Sequence, residues 1–297
     1  MNSLICGSGF GLYGYLPAIH KFTNNIYINK KYQKFFYTRS ELVLFESKII
    51  WYKNIKNIIN AIDYLVIAKR PADQIKIIKI LLKNSNKIKH IFLEKPISIN
   101  PKKSLEVFKI CREKKINYSV GFLFEYVSWY KLIKKKLDNT KKRNNILIKW
   151  NIKSDVNKSN SWKYNHQDGG GLIRYYGIHF IKLFSDLGFN IIKSNEINIK
   201  YWKFSINDKE SNTIKIILKY STNSNFSYRI NTLKNKKFSS PFLNGINSKL
   251  IDPRCFFLKK YISENLFNYN DNFSNDLSFL NLWNKIENNN KNVKKFS

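Results

Sequence analysis

Short apolar runs alternate with helical patterns of apolar residues over the first 121 residues of the chain. The runs have the length and composition of buried strands, and most are separated by stretches long enough for a crossover helix. Pro71 and Pro101 stand at positions typical of the first turn of a helix. This alternation predicts an α/β domain with a doubly wound parallel sheet. The predicted strands are residues 3–6, 26–28, 49–52, 64–68, 90–93 and 118–121, and the predicted helices include residues 72–82 and 102–114.

The hydrophobic pattern changes after residue 121. Runs that often alternate in polarity predict strands at residues 145–151, 196–204, 213–220 and 226–233, as is typical of an antiparallel sheet with one open face. An amphipathic helix is predicted to follow the glycine run 169–171 and to end before Gly188, and a last helix is predicted at residues 274–287. We therefore predict two domains, an α/β domain over residues 1–121 and an α+β domain over residues 122–297.

The formal net charge of +33 is a reason to consider a nucleic-acid partner. Of the 53 basic residues, however, only seven are arginines, whereas a protein that reads bases is expected to use the bidentate geometry of arginine. We therefore favour a solvated, lysine-rich surface over a polyanion site, and we expect no nucleic-acid partner.

The three cysteines, Cys6, Cys111 and Cys255, are far apart in the sequence and have no C-x-x-C spacing. This pattern favours neither a disulfide framework nor a zinc site, and it fits a reducing cytoplasm, so we expect a cytoplasmic protein without a metal. The sequence also has no run of about 18 apolar residues, which a membrane-spanning helix would need. We expect no membrane partner.

A glycine-rich turn joins the first predicted strand to an amphipathic helix. Backbone N–H groups in such a turn can approach a pyrophosphate, so this context predicts a dinucleotide site, although a glycine turn without a ligand is the simpler alternative. The second strand ends in Asn29, Lys30 and Lys31 instead of the acidic residue that binds the ribose hydroxyls of NAD. This substitution favours NADP over NAD. The residues of the turn are Gly7, Ser8, Gly9, Phe10 and Gly11.

Charged residues follow the fifth predicted strand in the motif Glu94-Lys95-Pro96. Ligands of open parallel sheets bind beyond the carboxyl ends of the strands, so we expect Lys95 to project into a ligand crevice. In the second half of the chain, Tyr175 and His179 lie four residues apart on a predicted helix and therefore on one face of it. A lone histidine on such a helix is more often a satisfied core residue than a functional one, but the preceding glycine run permits close approach of a ligand, so we weigh the two interpretations equally.

These motifs together resemble the Gfo/Idh/MocA oxidoreductases, the family of glucose-fructose oxidoreductase and inositol dehydrogenases. The resemblance rests on the glycine turn with Leu16-Pro17-Ala18 after it, on Glu94-Lys95-Pro96, and on residues 169–179, and it spans nearly the whole chain. It implies an amino-terminal Rossmann domain and a carboxyl-terminal domain whose large, mostly antiparallel sheet forms homo-oligomer contacts. It also implies NAD or NADP as the cofactor and hydride transfer to or from a secondary alcohol of a sugar or cyclic polyol.

The resemblance assigns catalytic roles to Lys95 and His179, which match the lysine and the histidine of the family. Oxidation of an alcohol needs a base at the hydroxyl, and histidine is the more natural proton acceptor at neutral pH. The family's aspartate is replaced here by Tyr175. Either Tyr175 hydrogen-bonds the substrate or His179, which we favour, or its phenol is the proton donor.

Further site residues are expected around these motifs. Lys69 and Pro71 follow the fourth strand and are expected near the nicotinamide ribose, although a solvated loop explains them equally well. The expected substrate-binding residues are Trp162, Asp168, Arg174, Tyr175 and His179, and the expected cofactor-binding residues also include Glu94 and Lys95. Because the carboxylate is missing at position 175, a catalytically idle cofactor-binding member, acting as a sensor or partner subunit, is the alternative function.

Overall fold

The computed structural model describes residues 1–83, 87–139, 143–154, 161–233, 236–242, 252–266 and 272–289. The chain divides into two compact units. The first unit comprises Met1–Ser98, Lys102–Leu123 and Ile246–Asp271, and the second comprises Ile99–Pro101, Phe124–Gly245 and Asn272–Ser297. The division into two domains at residues 121 and 122 stays a prediction.

The first unit is built on a sheet of six parallel strands in the order β3-β2-β1-β4-β5-β6. This order is the one that Rossmann domains use, with the ligand crevice at the point where the strand order reverses. Each predicted strand of this half is present, so the predicted fold class is confirmed. The strands are β1 (Asn2–Cys6), β2 (Asn25–Asn29), β3 (Ile49–Tyr52), β4 (Tyr64–Ile67), β5 (His90–Leu93) and β6 (Asn117–Val120).

Helices of the first unit connect these strands. The two helices predicted from Pro71 and Pro101 are confirmed, because proline fits the first turn of a helix, where its missing N–H is not needed. The described helices are α1 (Leu16–Ile19), α2 (Gln33–Tyr37), α3 (Ser40–Val43), α4 (Pro71–Lys83) and α5 (Pro101–Glu113). Short 3-10 turns lie at His20–Phe22, Lys30–Tyr32, Glu46–Lys48, Ile55–Asn57 and Ile59–Ala61, and Gly11–Tyr15 is π-helical.

The second unit contains the other sheet, in which only β7 and β10 run parallel. The mostly antiparallel sheet is therefore confirmed. Its strands are β7 (Asn145–Lys153), β8 (Ile191–Ile197), β9 (Tyr201–Asn207), β10 (Thr213–Ser221), β11 (Asn225–Ile230) and β12 (Lys236–Phe238). Its helices are α6 (Ser128–Asn139), α7 (Ile178–Asp186) and α9 (Phe273–Asn288). Shorter segments are the 3-10 turns Leu123–Tyr126 and Trp162–Tyr164 and the π-helix Leu172–Gly177.

Two strand predictions in this half are wrong in detail. The strand predicted at residues 196–204 is a hairpin, because Asn198 Oδ1 accepts hydrogen bonds from the amides of Lys200 and Tyr201 and so turns the chain. The strand predicted at residues 226–233 ends at Ile230, because Asn231 adopts a positive φ of 51°. The helix α8 (Arg254–Leu266), which belongs to the first unit, is not among the predicted helices.

Among the residues that the structure describes, one face of the second sheet is buried and the other is more exposed. Buried and exposed residues alternate along β7, and α7 packs against α9 within the same unit. We call the more exposed side the outer face. The strand register places seven cations on it, namely Lys149, Lys153, Lys203, Lys215, Lys219, Arg229 and Lys237, together with the acidic Glu196.

Candidate functional site

The glycine turn after β1 has the open backbone that a bound dinucleotide needs. Gly7 has a φ of 146°, and a Cβ there would lie 2.1 Å from the carbonyl oxygen of Ala68, so only glycine fits. A Cβ at Gly9, in contrast, would meet nothing within 4 Å. The amide of Leu12 donates to Gly9 O at 2.9 Å, which fixes the turn. A ligand can therefore approach the backbone at Gly9.

Phe10 covers the start of the π-helical segment that follows the turn. Its ring lies against Gly14, where a Cβ would be 2.4 Å from a ring carbon. It also makes edge contacts with Tyr13 and Tyr15, at centroid distances of 5.5 and 5.7 Å. Gly11 is buried, and a Cβ there would touch Ile5 at 3.2 Å. The turn is thus held by packing on one side, while Ser8 is half-buried and Gly9 is exposed.

A cavity of about 180 Å³ lies at the carboxyl ends of the strands next to the turn. Lys31 and Lys69 both place their ammonium groups 5.2 Å from the ring centroid of Tyr32, and Lys69 donates a hydrogen bond to the Tyr32 hydroxyl. The adjacent Lys30 is exposed. The cavity is lined by Cys6, Asn29, Lys31, Tyr32, Tyr52, Ile55, Lys69, Ile77, Ile80 and Leu81. It combines apolar walls with a cationic edge.

The Glu94-Lys95-Pro96 loop follows β5 at the same edge of the sheet. Gln74 of α4 donates from Nε2 to the carbonyl oxygens of both Glu94 and Pro96, each at 2.8 Å. The Lys95–Pro96 peptide bond is cis. Pro71 is buried at the first position of α4, and Ser98 donates to its carbonyl oxygen. The loop that carries Lys95 is therefore anchored by a fully buried side chain.

The Glu94 carboxylate is held in a confined environment. Tyr15 donates a hydrogen bond to it at 3.2 Å, and a Cβ at Gly121 would lie 3.2 Å from its Oε2 atom. Burial raises the pKa of the Glu94 carboxyl to about 7, although the charges of Lys95 and Arg254 act in the opposite direction. Glu94 therefore changes its charge near neutral pH, next to Lys95.

The predicted substrate helix of the second unit begins with close backbone packing. A Cβ at Gly170 would lie 2.0 Å from the carbonyl oxygen of Trp162, and Gly171 has a φ of 76°. Gly177 packs against the Trp202 ring, from which a Cβ would be only 2.4 Å away. Between these glycines the chain is π-helical instead of α-helical, contrary to the single amphipathic helix that we predicted. Such π-turns are frequent at functional sites.

Tyr175 and His179 lie in different environments. Tyr175 is half-buried, and its ring meets the Trp162 ring edge-on at 5.4 Å, with the Lys163 ammonium 5.6 Å from its centroid. His179 is 3% exposed and stacks on Phe124 at 4.6 Å. Tyr175 is thus the more accessible of the two candidates in the second unit.

Arg174 is engaged within the second unit. Its guanidinium forms two hydrogen bonds of 2.7 Å with the Glu287 carboxylate and donates to His166 O at 2.8 Å. Burial and the Arg174 charge lower the pKa of His166 to about 4. Asp168 is exposed and accepts a hydrogen bond from the side chain of Asn165 at 2.8 Å. These bonds hold the segment that leads into the glycine run.

Several residues of the site carried no local signal in the sequence. Tyr15 and Gly121 act through Glu94, which is about 80 and 30 positions away in the chain, so no spacing rule connects them. Tyr32 was not predicted, although it closely follows the predicted Lys30 in the sequence and contacts the predicted Lys69 in the structure. Lys95 belongs to the first unit, and Tyr175 and His179 belong to the second.

The described part of the chain contains no group of three or more His, Cys, Asp or Glu side chains that could hold a metal ion. The three cysteines are free and buried. In the same residues, no helix is long and apolar enough to cross a membrane.

Residues 1–122 match the model of a protein family described as an oxidoreductase family with an NAD-binding Rossmann fold, GFO_IDH_MocA. Over these residues, which make up less than half of the chain, the protein is therefore similar to the Gfo/Idh/MocA oxidoreductase family. The family resemblance inferred from the motifs is confirmed. No curated protein sequence matches the chain.

Solved structures share the fold of the chain at low sequence identity. The WlbA (WbpB) dehydrogenase of Thermus thermophilus, in complex with NAD and UDP-GlcNAcA, has a TM-score of 0.67 at 14% identity, over 95% of this chain and 92% of that one. KijD10, a 3-ketoreductase of Actinomadura kijaniata in complex with NADP and TDP-benzene, has a TM-score of 0.66 at 13% identity, over 95% and 94%. A super-repressor mutant of Gal80p from Saccharomyces cerevisiae has a TM-score of 0.71 at 14% identity, over 97% and 94%.

Proposed function

We propose that the protein is an NAD(P)-dependent oxidoreductase that transfers a hydride between nicotinamide and a secondary alcohol of a sugar, a sugar nucleotide or a cyclic polyol. One observation carries this proposal most directly. The open glycine turn after β1 and the Lys95 loop after β5 lie at the carboxyl edge of one parallel sheet, separated by β4. This edge is where open α/β sheets bind their ligands.

The coenzyme would supply a hydride donor or acceptor, and the chain would supply its position and the proton transfer. The backbone of Gly7 and Gly9 would hold the pyrophosphate, while Lys95 would bind the substrate hydroxyl. His179 would accept the hydroxyl proton during oxidation and return it during reduction. Tyr175 would hydrogen-bond the substrate or His179.

The proposed substrate class is supported by two enzymes whose solved structures have the same fold. WlbA was solved with a sugar nucleotide, UDP-GlcNAcA, and KijD10 is a 3-ketoreductase solved with a nucleotide-bearing ligand. Both have a TM-score above 0.6 over more than nine-tenths of this chain. We infer a sugar, sugar nucleotide or polyol as the substrate.

Variants of the second unit test the roles of its two candidates. We expect His179→Gln to lower turnover by about 10²- to 10⁴-fold, the usual contribution of a general acid or base, and to leave the coenzyme Kd unchanged. Tyr175→Phe should retain most of the activity. If His179→Gln were fully active and Tyr175→Phe inactive, the phenol would be the proton donor and the assignment to His179 would be wrong. Circular dichroism would establish that both variants fold.

For the coenzyme, we propose a preference for NADP over NAD. β2 ends in Asn29 without an acidic residue, and the cavity beside it has two ammonium groups around Tyr32. The 2′-phosphate of NADP would interact favourably with these two cations, whereas NAD has no 2′-phosphate and would gain no such interaction. Calorimetry should give a lower Kd for NADP than for NAD in the wild type, and Lys31→Gln should reduce the difference. Equal Kd values in the wild type would refute this preference.

The alternative function is a catalytically idle member that binds coenzyme as a sensor or partner subunit. Tyr175 in place of the family's carboxylate is the observation that favours it, and the fold is also that of Gal80p, which was solved as a super-repressor mutant. Tight coenzyme binding with no turnover on any sugar or polyol would support this alternative. Homo-oligomer contacts through the second sheet stay a prediction of the family resemblance.

A further inference from the structure

Helix α8 brings a cation to a coenzyme turn that has none of its own. Residues 7–15, which contain the glycine turn and the π-helical segment, include no lysine or arginine. A bound dinucleotide would nevertheless place a doubly charged pyrophosphate at this turn. Arg254 is the first residue of α8, and it belongs to the same unit as the turn although it lies more than 230 positions later in the chain.

Asp252 fixes the direction of the Arg254 side chain. Its Oδ1 atom accepts hydrogen bonds from the amide and from Nε of Arg254, both at 2.9 Å, and its Oδ2 atom accepts from Nη2 at 2.7 Å. These bonds lower the pKa of the Asp252 carboxyl, so the pair is charged at neutral pH. The guanidinium is therefore held in one orientation before any ligand arrives.

The orientation places the guanidinium on the glycine turn. The Arg254 Cζ atom lies 4.1 Å from the ring centroid of Phe10, a residue within the turn, and 6.0 Å from that of Tyr13. The next residue, Cys255, contacts the carbonyl oxygens of Tyr13 and Gly14 through Sγ at 3.2 and 3.4 Å. The first turn of α8 is thus packed on the π-helical segment that continues the glycine turn.

The charge of Arg254 also acts on the second motif of the coenzyme site. It lowers the pKa of the Glu94 carboxyl, as does the charge of Lys95, against the larger effect of burial. Arg254 therefore influences both the glycine turn and the loop that carries Lys95.

We propose that Arg254 is a coenzyme-binding residue that supplies the positive charge for the pyrophosphate of the dinucleotide. The ligand class is a pyrophosphate-bridged dinucleotide, and the proposal rests on the coenzyme binding put forward above. A guanidinium is suited to this position because it can stack on an aromatic ring and can donate charge-assisted hydrogen bonds to phosphate oxygens. The competing role is mechanical, in which Arg254 only clamps Phe10 and shapes the turn.

Two variants separate the binding role from the clamp. Arg254→Gln removes the charge, and Arg254→Lys retains it but loses the planar fork that pairs with Asp252. Arg112→Gln, on the exposed surface of α5, is the matched control. The probes are NADP and ADP-ribose, which has the pyrophosphate but no nicotinamide. Their Kd values are measured by calorimetry at about 0.1 M and 1 M salt, because the screening length falls from about 10 to 3 Å between these concentrations.

At low salt we expect Arg254→Gln to raise the Kd for both probes by about 10- to 100-fold, which corresponds to a lost charge-assisted hydrogen bond. The difference from the wild type should shrink at high salt, and Arg254→Lys should be intermediate. Equal Kd values for Arg254→Gln and the wild type would overturn the proposal. An equal loss in both variants at both salt concentrations, reproduced by Phe10→Leu, would assign the clamp role instead. If the wild type bound neither probe, the coenzyme function itself would fail.

Discussion

Replacing Glu94 by glutamine should stabilise the coenzyme-free protein at alkaline pH and have no effect at acidic pH. A glutamate carboxyl ordinarily titrates near 4.5, and burial raises the pKa of Glu94 to about 7. One pKa unit corresponds to about 1.4 kcal/mol, so the folded state disfavours the carboxylate by about 3 kcal/mol. A raised pKa contributes stability in full below pH 4.5, and this contribution is lost as the pH rises through 7.

Glutamine is neutral at every pH, and its amide oxygen can accept the hydrogen bond of Tyr15. Above pH 7 we therefore expect Glu94→Gln to increase the free energy of unfolding by about 2–3 kcal/mol, and at pH 4.5 we expect no gain. Urea denaturation at about pH 4.5 and pH 8 measures the difference, with the exposed Glu113→Gln as the control. A gain that is the same at both pH values, or a loss at pH 8, would refute the reasoning.

Three further predictions concern the turn, a buried histidine and the outer face. Gly7→Ala should lower Tm and abolish coenzyme binding, because the new Cβ would lie 2.1 Å from Ala68 O. Gly9→Ala should retain the wild-type Tm, and equal Tm values for the two variants would contradict this. The pKa of His166 is lowered to about 4 in the folded protein, so the folded protein loses stability as the pH falls from 6.5 through 4. His166→Gln should therefore unfold less readily than the wild type in urea at pH 4, and equal acid sensitivity would contradict this. If two copies pair through the outer face, sedimentation should show more dimer at high salt, because salt screens its seven cations; less dimer would exclude this face.

The parallel sheet and its two coenzyme motifs could be predicted because their signals are local. A buried strand, a glycine turn and a helix follow one another directly at Gly7, and Lys95 follows β5 in the same way. Periodicity also identified α4 and α5, whose first turns contain prolines. Such elements need no knowledge of distant residues.

The remaining parts depend on contacts between distant segments. Nothing near Arg254 indicates that α8 packs on a turn formed at the opposite end of the sequence. The π-helical segment before α7 likewise ends at Gly177, which packs against Trp202, a residue of β9 about 25 positions later in the chain. A period of 3.6 residues cannot show such a change, since it assumes one regular helix.

The most direct test of the proposed function is to incubate the wild type with NADP or NAD and a panel of sugars, sugar nucleotides and cyclic polyols, and to follow nicotinamide absorbance. We expect reduced coenzyme to form with at least one substrate, and Lys95→Met to abolish its formation. Coenzyme binding without reduction on any member of the panel, in either direction, would contradict the proposed oxidoreductase and favour the idle member.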